Sequence, residues 1–161
     1  MKLSKQAQLI LNQLSDKNTK LGDVRKIAKE IKKDHLLAIE LWSTKLFFPR
    51  QLAILLMDKK LLTEDSINQF VDDINLHEKN ENLQLIDWLM ANQLMKDKRT
   101  IEYIENWKES TSSLQRRVYW YYKGRLRWMG KIYEDSEELL STIENQIANE
   151  PPEVQWAMNF T

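Results

Sequence analysis

Apolar residues recur at spacings of three and four almost from one end of this chain to the other, the period of an amphipathic helix. No stretch sustains the alternation of apolar and polar residues that a half-buried strand requires, so no sheet is expected. Punctuation divides the pattern into helices near 3–15, 21–33, 35–44, 49–59, 63–74, 81–93, 99–109, 112–129, 135–149 and 151–160. Pro49, Thr63 and the pair Pro151–Pro152 mark helix starts, and Asp135 with Glu138 three residues later reads as a capping box.

The pattern also repeats. QLAILLM (Gln51–Met57) and QLIDWLM (Gln84–Met90) align without a gap at an offset of 33 residues, and Ile67 and Phe70 match Ile101 and Ile104 at an offset of 34. A two-helix unit recurring at this distance is the mark of an α-solenoid of HEAT or armadillo type. The fold expected is therefore all-α, a right-handed superhelical stack of antiparallel helix pairs, with Leu52, Ile54, Leu55, Leu85, Leu89, Val118 and Tyr122 in its core. One position breaks the repeat: Asp87 stands where the earlier copy has Ile54, between Ile86 and Trp88. A carboxylate among apolar groups is costly unless it is paired or used, so Asp87 is either a functional acid or a residue turned to solvent.

Composition removes several classes of function. At 161 residues the chain is long enough for one domain with a real core, and its three glycines and three prolines favour long helices over tight turns. The longest apolar run, Leu52–Met57, is far too short to span a bilayer. MKLSKQAQLILNQL at the start has no small-residue cleavage site, so no signal peptide is expected, and the absence of cysteine fits a cytoplasmic protein. His35 and His77 lie far apart with no ligand spacing; both read as surface residues, and no metal is expected.

Net charge is zero, yet it is distributed in blocks. Residues 1–60 carry 13 Lys and Arg against 6 Asp and Glu; the balance then runs −6 over 61–90, +6 over 91–131 and −7 over 132–161. Such blocks can build a basic face on a neutral body, which is enough to hold a polyanion. The densest basic stretch is LQRRVYWYYKGRLRW (Leu114–Trp128), with five cationic side chains and five aromatic rings. On a helix, Arg116, Trp120, Lys123 and Arg127 fall in one stripe and Val118, Tyr122 and Met129 in another, with Arg117, Tyr121, Gly124, Arg125 and Trp128 beside them.

Taken in order, LGDVRKIAKEIKKDHLLAIELWSTKLFFPRQLAILLMDKKLLT (Leu21–Thr63), the helix ending in LIDWL, LQRRVYW and EVQWAMNF resemble the AlkD-type DNA alkylation repair family. Its members are HEAT-like repeat DNA glycosylases. The resemblance implies a basic concave groove that cradles duplex DNA, with removal of N3- and N7-alkylated purines and no cofactor. The family's catalytic aspartate closes a Trp-Asp-aliphatic-aliphatic-Asp motif; here Leu83–Asp87 keeps the aspartate and has Leu83 in place of the tryptophan. The family's DNA-contacting arginine fits Arg117, after Arg116, and a second tryptophan fits Trp156. Arg116, Trp120, Lys123 and Arg127 are the further groove candidates. Family members usually continue for more helices, so the expectation is a single domain over 1–161, shortened at its C terminus, acting as a monomer.

The chemistry accounts for this residue set. An N3- or N7-alkylated purine is cationic and leaves as a neutral base, so positive charge develops on the deoxyribose, as in glycoside hydrolysis. A preorganised carboxylate stabilises that charge and orients water; an arginine fixes the backbone through a phosphate; an aromatic face packs on sugar or cationic base. No lysine nucleophile is needed, which implies a monofunctional enzyme. Two other readings compete: a DNA-binding relative that has lost excision, and a solenoid that binds a protein partner.

Overall fold

Helix starts follow the side chains that can accept from the first free amide groups. The Thr63 hydroxyl accepts from Ser66 N at 3.1 Å and the Ser66 hydroxyl accepts from Thr63 N at 2.9 Å, a reciprocal cap. Ser4, Asp34, Ser112 and Asp135 also cap through their side chains, and Pro152 occupies the first turn of the last helix. In this computed structural model, which describes residues 1–131 and 135–161, ten α-helices result. They are α1 (Lys5–Leu14), α2 (Leu21–Ile31), α3 (His35–Ser43), α4 (Phe47–Leu56), α5 (Glu64–Asn75), α6 (Lys79–Asn92), α7 (Lys98–Glu105), α8 (Ser113–Trp128), α9 (Ser136–Gln146) and α10 (Pro152–Phe160). Single 3₁₀ turns at Lys59–Leu61, Leu94–Lys96 and Ile147–Asn149 complete the helical structure, and no strand occurs among the described residues.

The all-helical reading therefore agrees with the structure, with shifts at some boundaries. Pro49 is the third residue of α4 rather than its start, a position where the missing N–H would have had no partner within the helix. The helix expected to reach residue 109 stops at Glu105, where i→i+3 bonds from Trp107 N to Ile104 O and from Ser110 N to Trp107 O replace the α pattern.

The helices form two compact units, Met1–Asp97 and Lys98–Thr161. In the first unit α4 is the centre, packed against α1, α2, α3 and α6. Surrounded on this many sides, it buries Pro49 through Ile54 and Leu56, apolar and polar residues alike. The repeat-related helices α4 and α6 pack on each other, and Leu52, Ile54, Leu85 and Leu89 are wholly buried. Leu55 is the exception to the expected core, since it lies half-buried at the helix margin.

Arg50, only 4 % exposed, holds this unit's helix ends together. Its Nε donates to Trp42 O at 3.1 Å, in the last turn of α3, and its Nη1 donates to Asp73 O at 3.0 Å, in the last turn of α5. Each of these carbonyls also accepts a backbone N–H from the turn after its helix, Lys45 N at 3.2 Å for Trp42 O and Leu76 N at 3.3 Å for Asp73 O, so Arg50 is their second donor and ties the two helix ends to α4. Asp73 faces the same guanidinium at 3.8 Å, accepts from the Trp42 indole at 2.7 Å and accepts from Gln69 at 3.0 Å. Burial lowers the pKa of Arg50 and the Asp73 charge opposes that shift.

His77 belongs to this network, contrary to its expected place at the surface; its side chain is 7 % exposed. Arginine cannot accept a hydrogen bond, so the 2.8 Å contact with Arg50 Nη1 makes His77 Nε2 the acceptor. His77 Nδ1 then carries the proton and donates to Glu81 at 2.9 Å. Gln93 serves α4 in the same way, its amide donating to Ile54 O at 2.6 Å and Met57 O at 3.2 Å.

The second unit is built around α8, which packs against α7 and α10. Trp120 is wholly enclosed there, with Val118, Ile104, Val154 and Ala157 also fully buried, and Tyr122 lies in the same core at 5 % exposure.

The Arg50 network makes a direct prediction. Arg50→Lys keeps the charge but loses the planar fork, so one buried ammonium cannot reach Trp42 O, Asp73 O and His77 Nε2 together. Denaturant unfolding should show a loss of about 2–4 kcal/mol. A change below about 0.5 kcal/mol, the level of an ordinary surface substitution, would contradict this role.

Candidate functional site

The residues that the sequence singles out lie in both units, and each group has its own surroundings. In the first unit, α6 turns Leu85, Ile86, Leu89 and Met90 fully inward, which leaves Asp87 half-buried at the helix margin. The carboxylate that replaces Ile54 in the repeat is thus set at a boundary between apolar packing and solvent, and it avoids the full cost of desolvation. Its neighbour Trp88 is fixed from two sides: the indole donates to Gln51 O of α4 at 3.1 Å, and the Arg25 guanidinium of α2 lies 5.3 Å from the ring centre. Leu83, one turn before Asp87 on the same face of α6, is also half-buried.

In the second unit, Arg117 and Trp156 meet. Arg117 of α8 is 5 % exposed; its Nη1 donates to Glu153 O at 2.8 Å, and its guanidinium carbon lies 4.4 Å from the centre of the Trp156 ring of α10. Trp156 keeps 47 % of its surface exposed and Phe160 keeps 38 %. These two rings stack at 5.8 Å with an interplanar angle of 6°, one helical turn apart on α10. Tyr121 of α8 meets both edge-on, at 5.2 and 5.1 Å. The exposed aromatic platform can take a sugar face, a base or a cation, and the largely buried Arg117 guanidinium holds its first ring in place.

The other cations of α8 are placed differently. Arg116 is committed to Glu150, with Nε at 3.0 Å from each carboxylate oxygen and Nη2 at 2.9 Å, and its Nη1 donates to Ser110 O at 2.7 Å. Lys123 is 3 % exposed and pairs with Glu105 at 2.8 Å. Beside this pair, burial and then the Glu105 charge raise the Tyr122 phenol pKa while Lys123 opposes them. Arg127 donates to the Ser136 hydroxyl at 3.1 Å.

Trp120 needs correction as a candidate contact: a ring with no exposed surface cannot stack on a ligand. The same reasoning places Lys123 in the unit's interior rather than on a groove wall, because its charge is already spent on Glu105. The basic stripe read along α8 is largely an internal ion-pairing stripe, answered by acidic residues of its own unit.

Three residues of this cluster are not among the site candidates of the sequence: Phe160, and Tyr121 and Arg125 beside the α8 stripes, the Arg125 guanidinium lying 5.9 Å from the Tyr121 ring. The four-residue spacing of Trp156 and Phe160 was the available signal for the platform. Among the described residues no group of three His, Asp or Glu side chains is arranged to hold a metal ion, and no helix is long and apolar enough to cross a membrane.

No curated protein and no solved structure matches the chain. The family model described as DNA alkylation repair enzyme, however, matches residues 12–161, and the chain belongs to that family of DNA repair enzymes.

Proposed function

We propose that this protein binds duplex DNA and hydrolyses the N-glycosidic bond of N3- and N7-alkylated purines, acting as a monomer in the cytoplasm without a cofactor. The observation that carries the reading is the contact of Arg117 with the exposed Trp156 ring, which brings together two residues that the family pattern had marked separately. Family membership supplies the substrate class. In this reading the helix pairs are HEAT-like repeats of a right-handed stack, supported within the first unit by the packing of α4 on α6.

The chemistry divides among three side chains. Asp87 stabilises the positive charge that develops on the deoxyribose and orients the attacking water. Arg117 engages a backbone phosphate, and Trp156 packs its ring on the sugar or the cationic base. The alkylated purine leaves as a neutral molecule, so no acid is required to protonate it. A second reading, DNA binding without excision, is favoured by one feature only: Leu83, an aliphatic side chain one turn from Asp87, stands where the family pattern has tryptophan.

Asp87→Asn separates the roles of that carboxylate. Excision from methylated duplex should slow by ~10²–10³, with DNA affinity unchanged or slightly higher and the melting temperature unchanged. A lowered melting temperature with excision intact would make Asp87 a structural carboxylate.

Arg117 is tested by salt dependence. Arg117→Ala should weaken binding for every sequence and reduce the slope of log K against log salt by about one unit. Lys123→Met should leave that slope as it is, because its ammonium already pairs with Glu105. Equal changes in the two variants would refute the assignment.

A further inference from the structure

Only three glycines occur in this chain, and one of them sits in the interior of α8, where glycine is a poor helix former. Gly22, at the start of α2, has open space around it, and Gly130 has a φ of 65° in the turn after α8. Gly124 is different. A Cβ built there would run into Phe160 Cδ1, stand 2.8 Å from Cε1 and lie 3.3 Å from the Phe160 carbonyl oxygen. The missing side chain is what lets α10 lie against α8 at this point.

Phe160 passes that constraint on. Its ring lies parallel to Trp156 and edge-on to Tyr121, so three rings share one packed arrangement whose far side rests on Gly124. The Thr161 hydroxyl, donating to Trp120 O at 2.8 Å, ties the same end of α10 to α8. We propose that Gly124 is a positioning residue for the site: by admitting Phe160 against α8 it sets the tilt of the Trp156 ring and its register with Arg117. Neither Gly124 nor the buried edge of Phe160 touches DNA in this account; they act through Trp156. The proposal rests on the reading of Trp156 as a DNA-contacting ring only for its effect on binding.

The full-length protein labelled with 5-fluorotryptophan provides the test, the Trp156 fluorine signal being identified by its disappearance in Trp156→Phe. Gly124→Ala should shift that signal, lower the melting temperature and weaken binding to methylated duplex ~3–10-fold. Phe160→Ala should shift the signal as well. In the Phe160→Ala background, adding Gly124→Ala should move the signal and the affinity no further, and its effect on the melting temperature should be much smaller than in the parent, since only the carbonyl oxygen at 3.3 Å remains close. An unmoved Trp156 signal in Gly124→Ala, or fully additive effects in the double variant, would overturn the proposal. Failure of the parent protein to bind DNA would instead refute the functional reading, and the fluorine shift and the non-additive melting temperatures would still decide the role of Gly124.

Discussion

Every α-helix ends in carbonyls that have no partner inside the helix, and a chain with three glycines has few of the left-handed glycine turns that usually answer them. Lysines take two of the left-handed positions, Lys32 at φ 68° and Lys45 at φ 62°, at a steric cost of about 1 kcal/mol or more each. Backbone N–H groups of the turns that follow each helix answer many of these carbonyls, and buried side-chain donors add bonds from neighbouring helices. Arg50 answers the ends of α3 and α5, and Gln93 answers the end of α4. These donors tie the helix ends of the first unit to one another, because each reaches from one helix to the last turn of another. Packing of α4 against its neighbours then follows from the same contacts that satisfy the backbone.

The second unit spends charge in the same way, and this decides which residues remain for function. Glu150 occupies Arg116, Glu105 occupies Lys123 and the Glu153 carbonyl holds Arg117. The alternating charge blocks of the sequence are thus consumed locally in part. What is left facing outward is the aromatic platform of Trp156 and Phe160, with the buried Arg117 guanidinium against the first ring and Arg125 near Tyr121. Fixing a guanidinium through a backbone carbonyl and an indole face lowers the entropy it would lose on meeting a phosphate. The proposed phosphate contact therefore falls to the 5 % of Arg117 that stays exposed, beside its bond to Glu153.

Helix number and type were legible because the apolar spacing is nearly continuous and the caps at Thr63, Asp135 and Pro152 are local chemistry. The repeat placed Leu52, Ile54, Leu85 and Leu89 in the core, erred by one residue at Leu55, and isolated Asp87. What stayed hidden was long-range. Whether Lys123 faces water depends on Glu105 in another helix, and the burial of His77 depends on Arg50, 27 residues away. Helical stripes rank residues by angle on one helix, and they carry no information about what the next helix places opposite. For that reason a stripe on α8 sets the enclosed Trp120 among groove candidates and gives no sign of the exposed Phe160.

The central claim is that this fold carries a working alkylpurine glycosylase despite Leu83. The most direct measurement is the release of free base from duplex DNA methylated at purine N3 and N7, followed together with the appearance of abasic sites. The account predicts that 3-methyladenine or 7-methylguanine is released with one abasic site per base, while undamaged duplex is left unchanged. Salt-sensitive binding to the same duplex with no free base above the spontaneous rate would contradict it.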